Sequence, residues 1–145
     1  MRTAVIVALA LAFAAPAQAL PVQFRTPSAN IGCVFSSEPG RVGPYLRCDI
    51  LSGLKPKPAR PKGCKLDWTF GFQLRWTGNA ATVCAGDTAV DPRAKVLRYG
   101  SRWSRSGFVC TSRKAGLRCT NPAHHGFSLA RSTCTASSCR RSPTP

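Results

Sequence analysis

A chain of 145 residues with 21 Lys and Arg against five Asp and Glu carries a formal net charge of +16. Five acids leave paired-carboxylate hydrolysis little to draw on, and no C-x-x-C pair is present to build a zinc ribbon or a thioredoxin-type redox site. A cationic surplus of this size points to anionic partners: polyanions such as nucleic acid, or an anionic cell-envelope surface.

Residues 1–19 read as a secretory signal peptide. Arg2 supplies the positive start, residues 4–15 are an unbroken apolar run, and Ala17-Gln18-Ala19 is a small-x-small cleavage site. The run is short for a membrane span, and nothing later approaches its length, so no transmembrane segment is expected in the mature form. Cleavage near Ala19 removes Arg2, leaves a charge of +15 and places the protein outside the cytoplasm, secreted or periplasmic. All eight cysteines lie after that point: Cys33, Cys48, Cys64, Cys84, Cys110, Cys119, Cys134 and Cys139. An even count behind a signal peptide implies disulfides rather than metal ligands. The remaining length suits one domain. It is expected over residues 20–133, with a basic Ser/Pro-rich tail over 134–145.

The first element is a hairpin. Setting Cys33 opposite Cys48 places Ile31 against Ile50 and Phe35 against Leu46, all on one face because side chains alternate along a strand. Gly32, Ser36, Arg47 and Asp49 then point the other way. Pro39-Gly40 and Gly43-Pro44 supply turn chemistry between the strands. Residues 53–63 form a connector whose three prolines favour an extended, solvated path. Lys55, Lys57, Arg60 and Lys62 ride on it.

Trp68, Phe70, Phe72, Leu74 and Trp76 alternate with polar or small residues in a strict period of two, which predicts a strand over 68–76. Thr77-Gly78-Asn79 turns the chain, and Ala81, Val83 and Ala85 continue the alternation on the return. On a basic protein such a stripe could stack bases, but a small domain needs its aromatics for a core. A second hairpin joins 108–112 to 117–121 through residues 113–116, with Cys110 opposite Cys119 and Ser112 opposite Leu117. Its Leu-Arg-Cys-Thr echoes the earlier Leu-Arg-Cys-Asp. Cys64 and Cys84 are left to pair around the aromatic strand, and Cys134 and Cys139 with each other, although eight cysteines allow many other connectivities. No amphipathic helix appears. The fold class is all-β: a small domain of antiparallel hairpins cross-linked by disulfides.

An ordered set of motifs spans most of residues 24–131: Phe24-Arg-Thr-Pro-Ser-Ala-Asn-Ile-Gly-Cys33, Leu46-Arg-Cys-Asp-Ile50, Cys84-Ala-Gly-Asp-Thr88, Leu97-Arg-Tyr-Gly100, Cys119-Thr-Asn121 and His125-Gly-Phe-Ser-Leu-Ala-Arg131. In this the chain resembles a family of small secreted bacterial proteins defined only as a domain of unknown function. Ala29 stands where that pattern has glycine, His124 where it has a small residue, and Cys134 and Cys139 are additions. The resemblance implies export and a disulfide-bonded domain. It brings no catalytic residues and no cofactor.

For catalysis, His124 and His125 are the only histidines. A ribonuclease would need both on one phosphate together with a cation, yet neighbours on a strand face opposite ways, so the backbone would have to turn sharply there. Asp87, between glycine and threonine, reads as a side chain capping its own turn. No Gly-x-Ser-x-Gly, phosphate-binding loop or dinucleotide fingerprint occurs. The leading expectation is a non-enzymatic exported module that binds anionic ligands through Lys55, Lys57, Arg60, Lys62, Arg113, Lys114, Arg140 and Arg141, with no metal or cofactor. The alternatives are a small secreted hydrolase using His124 and His125, and an inhibitor or toxin-like protein-binding module.

Overall fold

Two antiparallel meanders face each other across one apolar layer. The computed structural model describes residues 22–37 and 43–131, and the backbone alone of 134–135. The first meander runs through β1 (Val22–Arg25), β2 (Ile31–Ser36), β3 (Tyr45–Ile50), β4 (Gly71–Arg75) and β5 (Ala81–Thr82). A two-residue strand, β6 (Lys95–Val96), adds in parallel beside β1. The second meander is β7 (Arg102–Arg105), β8 (Phe108–Arg113), β9 (Gly116–Thr120), β10 (Gly126–Leu129) and β11 (Cys134–Thr135). No helix occurs among the described residues.

Both expected hairpins form in the expected registers. Ile31 pairs with Ile50, Cys33 with Cys48 and Phe35 with Leu46; Cys110 pairs with Cys119 and Ser112 with Leu117. Pairing continues to Arg113 and Gly116, so the second turn is Lys114-Ala115 alone. Disulfides link Cys33–Cys48, Cys64–Cys84 and Cys110–Cys119. The expected Cys134–Cys139 bridge lies outside the described side chains.

The two sheets repeat one another. In the first, Phe24, Cys33, Cys48 and Phe72 form a row across β1–β4. In the second, Trp103, Cys110, Cys119 and Phe127 form the matching row across β7–β10. Three of these residues touch their own counterparts. The Phe24 and Trp103 rings lie 4.9 Å apart, those of Phe72 and Phe127 5.5 Å, and the Cys48 and Cys119 sulfurs 3.9 Å. A pseudo-two-fold axis along the rows, midway between the sheets, gives that pattern, because it carries each row residue onto the one directly opposite. Leu46-Arg-Cys-Asp49 then corresponds to Leu117-Arg-Cys-Thr120, and Gly71-Phe-Gln-Leu74 to Gly126-Phe-Ser-Leu129. Both glycines are required by close approach. A Cβ on Gly71 would strike Asp49, and one on Gly126 the Cys119 carbonyl oxygen. The repeated Leu-Arg-Cys therefore belongs to a repeated four-strand unit.

The aromatic stripe divides. Phe72 and Leu74 are fully buried, whereas Trp76 is 46% exposed and Trp68 and Phe70 are half-buried beyond the end of β4. The Trp68 ring serves the connector instead: its Nε1 donates to the Pro58 carbonyl, and Arg60 stacks 3.6 Å from the ring centroid. On the return, Ala80 and Val83 are buried and Ala81 is exposed. The strict alternation fails there because β5 pairs over only two residues. Asn121 joins the two sheets at this end. Its Nδ2 donates to the Arg75 and Gly78 carbonyls at 3.0 and 2.9 Å, while its Oδ1 accepts from the His125 N–H.

Ala29 and His124 both have positive φ, 56° and 63°. Left-handed backbone costs an L-residue about 1–2 kcal/mol. Ala29→Gly, in the turn closed by the Thr26 N–H to Ile31 carbonyl bond, is expected to raise stability by about 1 kcal/mol; urea unfolding of the oxidised protein measures it.

Candidate functional site

The outer faces of the two sheets differ in what covers them. On the first, Arg47 and Asp49 both point away from the core, as expected, yet Asp49 is fully buried. Arg47 grips it with Nε and Nη2 at 3.1 and 2.8 Å. Arg47 also reaches residue 87, donating from Nη1 to the Asp87 carboxylate at 3.0 Å and from Nη2 to the Asp87 carbonyl at 2.8 Å. The Ala89 N–H donates to the second oxygen of Asp49 at 2.7 Å. Val90 lies over Gly32, whose missing side chain leaves the room: a Cβ there would sit 2.6 Å from the Val90 Cα. Cys84-Ala-Gly-Asp-Thr88 and the residues after it thus strap this face shut.

These contacts set the local protonation. Burial works against the Arg47 charge, but hydrogen bonds and charge from Asp49, and then Asp87, leave its pKa above the ordinary value. The Arg47 hydrogen bond, followed by its positive charge, holds the Asp87 carboxyl below the ordinary carboxylate value. Asp87 therefore serves mainly as the partner of Arg47; the turn-capping role expected from its neighbours is secondary.

The second sheet presents the equivalent face without a strap among the described residues. A row of outward positions crosses β7–β10 as Arg102, Thr111, Arg118 and Ser128. The matching row of the first sheet is Gln23, Val34, Arg47 and Gln73. Arg118 is the counterpart of Arg47, but Thr120 replaces the buried Asp49, and Arg118 is exposed with no ion pair among the described residues. A cleft of about 530 Å³ opens here between Arg113, Arg118, Thr111 and Ser128. A second, of about 310 Å³, lies on the other side of the β8–β9 turn, where Arg113 and Lys114 meet Arg131, Tyr99 and Asn30. The cause of this charge is plain in the chain: after Asp91 there are eleven Lys and Arg and no Asp or Glu.

Of the cations singled out from sequence, Arg113 and Lys114 are thus brought together with Arg118 and Arg131, which that reasoning missed. The acid-free stretch after Asp91 was the signal that could have found them. The connector set lines neither cleft. Lys57 and Arg60 clasp Trp68 at 4.7 and 3.6 Å from its ring centroid, and Arg60 also donates to the Cys64 carbonyl at 2.9 Å. Lys55 and Lys62 are exposed. Arg140 and Arg141 lie outside the described residues. His124 and His125 are exposed on a loop whose backbone does turn sharply, through the positive φ of His124. Neither imidazole has a hydrogen-bond or ion-pair partner among the described residues. The Cys33, Cys48 and Cys119 sulfurs lie within 4.8 Å of one another, which would suit a metal if they were thiols. They are held in disulfides, so the cluster is structural.

The strap gives a pH prediction. Asp87 has a lower pKa folded than unfolded, so its contribution is full above about pH 4, the unfolded value, and is lost as pH falls through the folded one. Acidification through that window is expected to lower amide protection across residues 85–90 relative to the intrinsic exchange rate at each pH, and Asp87→Asn to give the lowered protection at neutral pH. Asp49→Ala, which leaves the mostly buried Arg47 without its closest partner, is expected to destabilise by about 3 kcal/mol, read from chemical unfolding.

Three disulfides fit an oxidising compartment, and among the described residues no helix is long and apolar enough to cross a membrane. Neither a curated protein nor a solved structure matches the chain. A family model described as a family of unknown function, DUF6636, matches residues 3–136. The chain, with its paired disulfide sheets, belongs to that family.

Proposed function

We propose that the protein is an exported, non-enzymatic module that binds anionic ligands on the outer face of its second sheet. One observation carries this reading: Arg118 occupies the position at which Arg47 holds two carboxylates, and it has neither. Arg102, Arg113 and Lys114 add charge around it, and Thr111 and Ser128 add hydroxyls that hydrogen-bond oxyanions. The leader-like residues 1–19 and the disulfides favour action outside the cytoplasm, secreted or in the periplasm. Polyanions or an anionic cell-envelope surface are the partners this chemistry suits.

The test is titration of oxidised protein onto heparin, DNA and anionic vesicles at rising salt. Binding is expected to be tightest at low salt and to fall steeply. Arg113→Gln with Arg118→Gln is expected to weaken binding about tenfold and to reduce the salt slope by about two. Lys55→Gln with Lys62→Gln, away from both clefts, is expected to change it much less. Absence of binding to all three probes at low salt overturns the proposal.

A further inference from the structure

The internal repeat contains a worked example of what its open half lacks. On the first sheet an arginine at the centre of the outer face receives a carboxylate and a main-chain carbonyl from one residue, Asp87, of the segment 85–90. The pseudo-two-fold carries that arginine onto Arg118 and the neighbouring carboxylate onto Thr120. Part of the space is conserved along with position, although Val109 stands where Gly32 makes room for Val90. Gly71 stands aside for Asp49, and Gly126 stands aside for Thr120, whose methyl would lie 3.0 Å from an added Cβ.

We infer that Arg118 and its flanking row seat an acidic loop of another protein, with one Asp or Glu carboxylate on the Arg118 guanidinium as Asp87 sits on Arg47. This rests on the anion-binding reading above and names its ligand. Charge complementarity decides the source. The segment after β11, residues 136–145, has Arg140 and Arg141 and no Asp or Glu, so it offers Arg118 no carboxylate side chain. On Arg47 the Asp87 carboxylate takes one guanidinium nitrogen and the carbonyl of the same residue another, a pairing that a peptide supplies and a free ion does not. Arg102 and the hydroxyls of Thr111 and Ser128 stand where the first sheet has Gln23, Val34 and Gln73, and they add polar surface on either side of Arg118.

The probe is a blocked peptide of the chain's own strap sequence, Ala-Gly-Asp-Thr-Ala-Val, added to nitrogen-15-labelled oxidised protein. Saturable movement of the Arg118 Nε–H resonance is expected, and an Asn-for-Asp peptide is expected to lose it. Arg118→Gln should weaken binding at least about tenfold, the scale of a lost charge-assisted hydrogen bond. Thr120→Asp should do the same while keeping the guanidinium, because it restores the internal partner that occupies Arg47. Should Thr120→Asp fail to fold, Arg118→Gln and the Asn peptide still decide the question. Heparin or polygalacturonate binding that depends on Arg118, with no response to the peptide, overturns this inference and leaves the anion-binding reading standing. No binding of the peptide, heparin, polygalacturonate, DNA or anionic vesicles overturns both.

Discussion

The contact between the Cys48 and Cys119 sulfurs, 3.9 Å apart at the centre of the apolar layer, fixes the rest of the molecule. Each sulfur belongs to a disulfide that ties two adjacent strands at directly opposed positions. Each hairpin therefore arrives with its register locked, and in the chain-entropy view closing the first loop alone stabilises by about 3 kcal/mol. Stacking one disulfide on the other aligns the two sheets as mirrored rows. Aromatic pairs on either side, Phe24 with Trp103 and Phe72 with Phe127, complete a core that a domain of this size could not build from aliphatic residues alone.

With the inner faces fixed, strand alternation leaves no freedom about what points outward. Arg47 and Arg118 are outward because Cys48 and Cys119, their neighbours in sequence, are inward. The two halves then diverge by a single exchange and its consequences. Asp49 makes the first arginine the anchor of a strap, and burial of that pair is sustained by the Ala89 amide. Thr120 leaves the second arginine in solvent. Nearly all the acid of the chain lies in the half that closes upon itself. The stretch that follows Asp91 has cations and no acid, and Arg102, Arg113, Lys114 and Arg118 of the second sheet belong to it.

The hairpins around Cys33–Cys48 and Cys110–Cys119 were legible because three local signals agreed at each: cysteine spacing, alternating apolar residues and turn chemistry. The strands β1, β6 and β7 were not singled out. They are two to four residues long, and their pairing is decided by neighbours distant in the chain. The stripe from Trp68 to Trp76 misled at both ends. Its period of two was real, but a strand needs a partner as well as a pattern. Beyond Gly71 the chain leaves the ladder to meet the proline-rich connector, where Trp68 finds Lys57 and Arg60. Those two cations, selected as free anion binders, are engaged in that contact.

Read alone, the amino-acid order gave the all-β class, two hairpin registers and the sign of the surface charge, and it suggested the three described disulfides while leaving other connectivities open. These follow from local spacing and from composition, which need no knowledge of distant neighbours. Tertiary structure decided that the two halves are copies related by a two-fold. It also decided that residues 84–90 close one copy and that Arg113, Arg118 and Arg131 gather around the other. Those outcomes depend on which face each strand turns to the core and on what the chain lays across the far side, and residues forty or seventy positions apart settle them together.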